Sequence, residues 1–130
     1  MEINIGSELD IVTARSAAKN EAKRLGFSLV DQTRIATAVS ELARNIVVHA
    51  HGGVLTIEEI EKEARRGLEV CAVDEGPGIE NLELALQDGW TSGGGLGIGL
   101  SGAKRLMDEF DIQSEVGKGT KVQIVKWMRN

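Results

Sequence analysis

The sequence predicts an α+β domain: a two-layer sandwich with a mixed, mainly antiparallel sheet and helices on one face. After a short strand candidate at 2–5, two long segments have apolar residues at helical spacing. Short apolar segments separated by turns then follow in two pairs, with a further helical segment between the pairs. With 130 residues, the chain is expected to form one domain spanning residues 1–130.

The two long helices have recognisable ends. Ser7 and Asp10 have the spacing of a capping box at the start of the first helix, and Gly26 is placed to end it. The second helix is expected to begin near residues 28–31 and to run to about Ala50, before His51-Gly52-Gly53. Its apolar positions recur every three or four residues, which predicts one buried face: Ile35, Val39, Leu42, Ile46 and Val47.

The rest of the chain predicts strands and two shorter helices. A charged turn at 63–66 joins one pair of strands, and Gly117-Lys118-Gly119 joins the other. A short helix is expected over 80–88, and another from about Leu100 to Phe110. The predicted strands are 2–5, 54–61, 67–73, 111–116 and 121–127.

Composition limits the class of protein. A formal charge of −5 and a pI near 5.1 argue against nucleic-acid binding, because such domains are usually basic. The sequence has no apolar run of the roughly 20 residues that a membrane span needs, and its first residues lack the layout of a signal peptide. Cys71 lies in an apolar run, which favours a buried, inert thiol. We therefore expect a cytoplasmic protein that binds neither nucleic acid nor membrane.

A glycine-rich segment raises the possibility of a phosphate site. Five glycines occupy the seven positions from Gly93 to Gly99, directly before a predicted helix. Turns of this kind present free N–H groups and the helix dipole to an anion. From the segment alone, a flexible linker remains the alternative.

Two common nucleotide motifs do not fit this segment. Gly97-x-Gly99-x-x-Gly102 has the spacing of a dinucleotide fingerprint, but a polar stretch precedes it where a strand is required. About 20 residues further on, where that fingerprint expects an acidic ribose ligand, the chain has Thr120 and Lys121. A Walker A loop needs Ser or Thr after its Gly-Lys pair, and the chain's Gly-Lys pair is followed by glycine.

Three polar residues outside that segment could support nucleotide chemistry. Glu41 and Asn45 lie four residues apart, on one face of the second helix. An amide oxygen at Asn45 could bind Mg²⁺, leaving Glu41 to accept a proton; a solvated helix face is the alternative. Asp74 could accept a hydrogen bond from an exocyclic amine while Gly76 and Gly78 let a flat base approach, or it could simply begin a turn.

Together and in order, four segments resemble the N, G1, G2 and G3 boxes of the GHKL ATPase superfamily. They are ELARN at 41–45, DEGPGI at 74–79, GGGLGIGL at 93–100 and GKGT at 117–120. Within that superfamily, the short chain resembles the anti-sigma-factor kinases, and above all the RsbT-type switch serine/threonine kinases of bacterial stress signalling. The resemblance implies the Bergerat ATP-binding fold, with ATP and Mg²⁺ as cofactors.

The resemblance also implies a role for each matching residue. Glu41 would be the general base, Asn45 the Mg²⁺ ligand and Asp74 the acceptor for the adenine amine. Gly76 and Gly78 would shape the base pocket, and Thr120 would support the adenine side. The residues of the phosphate lid would be Gly93, Gly94, Gly95, Leu96, Gly97, Ile98 and Gly99.

The implied function is an ATP-dependent protein serine/threonine kinase in a partner-switching stress pathway. It would phosphorylate STAS-domain proteins and, once released from them, bind and activate a PP2C-type phosphatase. The alternatives are an anti-sigma factor and a non-catalytic binding module whose shape is set by ATP.

One feature departs from the family pattern. Similar kinases carry an arginine in the lid just before the glycines, near the γ-phosphate. This chain has no Lys or Arg between Pro77 and Gly99. Lys104 and Arg105, on the helix that follows, are the candidate substitutes.

Overall fold

The computed structural model of the chain describes residues 1–78 and 99–129. Three helices and five strands lie in these ranges. The helices are α1 (Glu8–Leu25), α2 (Leu29–His49) and α3 (Gly99–Leu106), and the strands are β1 (Glu2–Ile5), β2 (Gly53–Lys62), β3 (Arg65–Asp74), β4 (Glu109–Glu115) and β5 (Gly119–Trp127). The helix predicted over 80–88 and most of the glycine-rich segment lie outside the described residues.

The ends of the long helices follow the predicted local signals. The Asp10 carboxylate accepts hydrogen bonds from the backbone N–H groups of Gly6 and Ser7, at 2.8 and 3.0 Å. The hydrogen bond from Gly6 is the main reason that the pKa of Asp10 lies below its usual value. Gly26 ends α1 in the left-handed conformation, and Ser28 begins α2 by accepting a hydrogen bond from the backbone of Asp31. Both helices therefore begin and end where the sequence predicts.

The five strands form one sheet in the order β1-β2-β3-β5-β4. All four pairings between these strands are antiparallel. The predicted α+β fold is confirmed, with a sheet that is antiparallel throughout rather than mixed. The order arises because β5 pairs with β3 while β4 lies at the edge, so the two hairpins join through their second strands.

The helices pack on one face of the sheet. Leu55, Ala72 and Val122 form one row across the three central strands, and Ile57, Val70 and Ile124 form the next. These side chains are buried in a single core with apolar residues from the helices: Ile11, Ala14, Ala18, Ala22, Leu25, Ile35, Ala38, Val39, Leu42, Ala43, Ile46 and Ala103. The second helix contacts both other helices and β3, so it lies at the centre of the helical layer.

The third helix is shorter than the sequence predicts. It ends at Leu106, and β4 already begins at Glu109. Asp108 makes this turn: its backbone N–H donates to Val125, and its carboxylate accepts from the backbone N–H of Trp127 at 2.7 Å. Pairing with β5 therefore draws these residues into the sheet, although their apolar spacing alone would continue the helix.

Two further expectations concern the thiol of Cys71 and membrane-spanning helices. Cys71 is half-buried rather than buried, and the burial raises the pKa of its thiol above the usual value. A protonated thiol is a poor nucleophile, in agreement with the inert cysteine expected. Within residues 1–78 and 99–129, none of the helices combines the length and the apolar character that crossing a membrane requires.

Candidate functional site

Glu41 and Asn45 lie on the buried side of α2. Only 4% of Glu41 and 2% of Asn45 is exposed to solvent. Asn45 follows Glu41 by four positions, so the two residues lie about 6 Å apart along the helix axis. A solvated helix face is therefore excluded for this pair. Burying a polar side chain costs free energy unless it is hydrogen-bonded, so the partners of each of these two side chains decide how it can be kept there.

The side-chain oxygen of Asn45 has no hydrogen-bond partner among the described residues. A buried acceptor left in this state costs about 1–3 kcal/mol. An amide oxygen is a hard ligand of the kind that Mg²⁺ binds, together with water and substrate phosphates. No group of three or more His, Cys, Asp or Glu side chains in residues 1–78 and 99–129 could hold a metal ion by itself. The chemistry of this amide oxygen fits the role predicted for Asn45, that of one Mg²⁺ ligand, and the role stays a prediction.

Glu41 contacts the start of α3. Its carboxylate oxygen Oε2 accepts a hydrogen bond from the backbone N–H of Gly99, at 3.1 Å. Gly99 has a positive φ of 71°, which favours glycine at this position. A carboxylate is well placed at a helix N-terminus, where the dipole is positive. Two parts of the predicted site, 58 residues apart in the chain, therefore meet. The role of Gly99 in a phosphate lid stays a prediction.

Asp74 and Thr120 form the other end of the site. They lie directly opposite each other in the pairing of β3 with β5, and both are buried. One carboxylate oxygen of Asp74 accepts from the backbone N–H of Gly76 at 2.9 Å. The hydroxyl of Thr120 lies 2.8 Å from that of Ser114, a neighbour that the sequence did not single out. Only the register of β4 against β5 reveals this contact, because nothing in the local sequence of Ser114 marks it.

Gly76 and Gly78 let the loop after β3 fit closely between other parts of the protein. A Cβ at Gly76 would lie 2.7 Å from the Cβ of Ala50, at the end of α2. A Cβ at Gly78, where φ is +80°, would lie 2.4 Å from the backbone oxygen of Glu115. Both glycines are thus required by contacts within the protein. Their role in shaping a base pocket stays a prediction.

Gly53 brings Asp74 next to α2. A Cβ at Gly53 would lie 3.0 Å from Cγ2 of Ile46 and 3.1 Å from Cβ of Asp74, so a glycine is needed between them. Ile46 follows Asn45 directly in the chain. The end of β3 with Asp74 therefore lies near Ile46 of α2, and Glu41 lies about one turn before Asn45 on the same helix, beside α3.

A groove of about 660 Å³ lies between α1 and α2, and Glu41 is part of its lining. Three basic side chains also line this groove: Arg15, Lys19 and Arg44. Arg15 and Lys19 are exposed on α1, whereas Arg44 is half-buried on α2. The groove therefore combines positive charge with the carboxylate predicted to act as the base.

Several predicted residues are not part of this arrangement. Lys104 and Arg105 are exposed in the last turn of α3, more than about 7 Å along the helix axis from Gly99. The remaining lid residues, which lie outside the described residues, are Gly93, Gly94, Gly95, Leu96, Gly97 and Ile98.

Comparison with known sequences supports a nucleotide site. Residues 7–126 match the family described as the histidine kinase-like ATPase domain. The chain is 50% identical over 127 residues to the serine/threonine-protein kinase RsbT of Bacillus subtilis, covering 98% of this chain and 96% of that one. It is 35% identical over 119 residues to the anti-sigma F factor of Clostridium acetobutylicum, covering 87% and 82%. The prediction of a protein serine/threonine kinase is confirmed by the relationship to RsbT.

Solved structures share the fold. The crystal structure of the RsbU and RsbW domains of a Mycobacterium tuberculosis protein matches all of this chain and 33% of its own, with a TM-score of 0.66 at 18% identity. The mycobacterial sensor histidine kinase MprB matches 99% of this chain and 97% of its own, with a TM-score of 0.57 at 17% identity. Fold, residue pattern and sequence relationship agree: the chain belongs to the histidine kinase-like ATPase domain family, as the GHKL resemblance predicted.

Proposed function

We propose that the chain uses Mg²⁺ and ATP to phosphorylate a serine or threonine of a STAS-domain protein. The observation that carries the proposal is the buried side-chain oxygen of Asn45, which has no hydrogen-bond partner among the described residues and lies about one helical turn from Glu41. Its position suits a Mg²⁺ ion shared with the phosphates of a nucleotide whose base lies near Asp74.

In this proposal each of the candidate site residues has one role. The Asp74 carboxylate accepts a hydrogen bond from the adenine amine, with Thr120 across the strand pairing supporting the same end. Asn45 contributes its amide oxygen to Mg²⁺, which neutralises phosphate charge. Glu41 accepts the proton of the attacking hydroxyl as its oxygen bonds to the γ-phosphorus, while the bond from that phosphorus to the β–γ bridging oxygen breaks and ADP leaves. Because Glu41 contacts the N–H of Gly99, the start of α3 orients this carboxylate.

The partners are proposed from the relatives. The kinase RsbT covers nearly the whole chain at 50% identity, so we infer a similar pathway of partner switching. In it, the chain phosphorylates STAS-domain partners and, when released, binds a PP2C-type phosphatase. ATP supply makes the cytoplasm the expected compartment.

A second candidate function rests on the anti-sigma F relative at 35% identity. An anti-sigma factor sequesters a sigma subunit, and a binding module gated by ATP would need no base at all. Phosphotransfer to a STAS-domain protein that depends on Glu41 separates the kinase from both alternatives.

The test compares the wild-type chain with Glu41→Gln, using labelled ATP and purified STAS-domain proteins. The amide of the variant can still accept from Gly99, so the fold should persist while the base is lost. We expect phosphotransfer to fall by about 10²–10⁴-fold, as for loss of a general base, with unchanged ATP affinity. Glu8→Gln is the matched control, because Glu8 lines the same groove on α1, and it should transfer phosphate normally. Normal transfer by Glu41→Gln would remove Glu41 from this role.

A further inference from the structure

The positive charge for the transferred phosphoryl group must come from outside the glycine-rich segment. All 15 Lys and Arg residues of the chain lie within residues 1–78 and 99–129. Transfer of a phosphoryl group develops charge on its outer oxygens, and an arginine is a common way to stabilise that charge. One of these 15 side chains is therefore expected to contact the γ-phosphate, if the proposed function holds.

Seven of these side chains already have a partner among the described residues. Arg65 lies over the ring of Trp127, at 4.4 Å from its centre. The basic residues that form ion pairs with carboxylates are Arg24, Arg34, Arg66, Lys118, Lys126 and Arg129. The three basic residues that line a groove together with Glu41 are Arg15, Lys19 and Arg44.

Arg44 differs from the other two in position and burial. It is on α2, three residues after Glu41 and one before Asn45, so it lies beside the candidate base on the helix surface. Arg15 and Lys19 are exposed on α1, whereas Arg44 is half-buried. Its Nε atom is buried and has no hydrogen-bond partner among the described residues. Burying a positively charged N–H donor without a hydrogen-bond acceptor costs free energy, and an anion bound in the groove would offset that cost.

We propose that Arg44 contacts the γ-phosphate of ATP and takes the place of the arginine that similar kinases carry in the lid. A guanidinium group stays charged at any physiological pH, and its planar N–H groups match two phosphate oxygens. From α2 it acts together with its neighbours: Asn45 holds the metal, Glu41 accepts the proton, and Arg44 stabilises the charge on the group in transit. This inference rests on the proposed function and adds a residue to it.

Nucleotide affinity tests the proposal without relying on activity. Calorimetry would measure the Kd of Mg²⁺-ATP and Mg²⁺-ADP for the wild type, Arg44→Met and Arg44→Lys. Since ADP lacks the γ-phosphate, Arg44→Met should weaken ATP binding by about 10- to 100-fold, as for a lost charge-assisted hydrogen bond, and leave ADP binding unchanged. Arg44→Lys keeps the charge and should recover part of the ATP affinity. Unchanged ADP binding also shows that the variants fold.

Arg15→Met and Lys19→Met are matched controls, because each removes one positive charge from the same groove. Both should keep the wild-type ratio of ATP to ADP affinity. Phosphotransfer at saturating ATP should fall by about 10³-fold or more in Arg44→Met, the effect of removing an arginine from a phosphoryl-transfer site.

Three results would overturn the proposal. Equal loss of ATP and ADP affinity would place Arg44 at another part of the nucleotide. An unchanged affinity ratio, with a raised KM for the protein substrate alone, would assign Arg44 to partner binding. A wild-type chain that binds neither nucleotide would refute the proposed function itself, and this inference with it.

Discussion

Replacing Asn45 with leucine should make the chain more stable while impairing its function. The side chain is 2% exposed, and its oxygen has no partner among the described residues. Leucine has nearly the same shape and removes the unsatisfied acceptor, whose burial costs about 1–3 kcal/mol. For a chain of this size, 1 kcal/mol corresponds to a shift in Tm of about 4 °C. We therefore expect a Tm increase of about 4–12 °C without nucleotide.

Nucleotide with Mg²⁺ should stabilise the wild type more than the variant and so reduce this difference. At 100 times its Kd, a ligand stabilises the wild type by about 2.7 kcal/mol. Loss of the metal ligand should weaken Mg²⁺-ATP binding by at least about tenfold, which leaves at most about 1.4 kcal/mol for the variant at the same concentration. Affinity measured in EDTA should be nearly equal in both proteins, because the lost contact acts through the metal.

Thermal unfolding followed by circular dichroism, with and without Mg²⁺-ATP, measures both effects. Asn45→Asp is the matched control with the opposite sign: it keeps an oxygen ligand but buries a charge. It should be less stable than the wild type without metal and should regain stability with Mg²⁺-ATP. If Asn45→Leu were destabilising without nucleotide, or gained as much from Mg²⁺-ATP as the wild type, the role of Asn45 would be structural.

Three further predictions concern the rest of the fold. Asp74→Asn should weaken ATP and ADP binding alike by about 10-fold or more, with or without Mg²⁺, because it removes a charged acceptor from the base end; calorimetry showing retained affinity would contradict the base assignment. Lys126→Met should lower the free energy of unfolding by about 1–3 kcal/mol in urea titrations, because it removes the buried ammonium that pairs with Asp108 at 3.4 Å and donates to the Leu106 carbonyl at 3.2 Å; a neutral effect would show that these contacts are dispensable. Gly119→Ala should destabilise the chain far more than Gly117→Ala, since both have positive φ but only at Gly119 would a Cβ meet backbone, 2.1 Å from the oxygen of Asp74. Gly117→Ala should cost only about 1–2 kcal/mol, and equal unfolding midpoints would refute this reasoning.

Local signals in the sequence were sufficient for the two long helices and for most strands. Capping by Asp10 and Ser28 and the left-handed Gly26 act within a few residues, so their effect can be predicted from the sequence alone. The third helix shows the limit of such signals. Its apolar spacing continues past Leu106, but the hydrogen bonds that Asp108 makes with β5 end it there.

Local sequence motifs likewise predicted part of the candidate site. The motif pattern identified Glu41, Asn45, Asp74 and Thr120, and the structure shows all four to be buried. Arg44 lay within the same motif as Glu41 and Asn45, yet its half-buried position and its place in the groove could not be read from the sequence. The sequence directed attention instead to Lys104 and Arg105, which are exposed at the far end of α3.

By itself, the sequence determined the ends of the two long helices, the hairpin turns and the four motif segments, because each depends on neighbouring residues only. It also determined the absence of a basic residue between Pro77 and Gly99. The tertiary structure decided the antiparallel pairing of β3 with β5 that sets Asp74 opposite Thr120. It also decided the contact between Glu41 and the N–H of Gly99. These contacts join residues that are about 50 apart or more in the chain, and they depend on how the helices pack on the sheet, which no local pattern encodes.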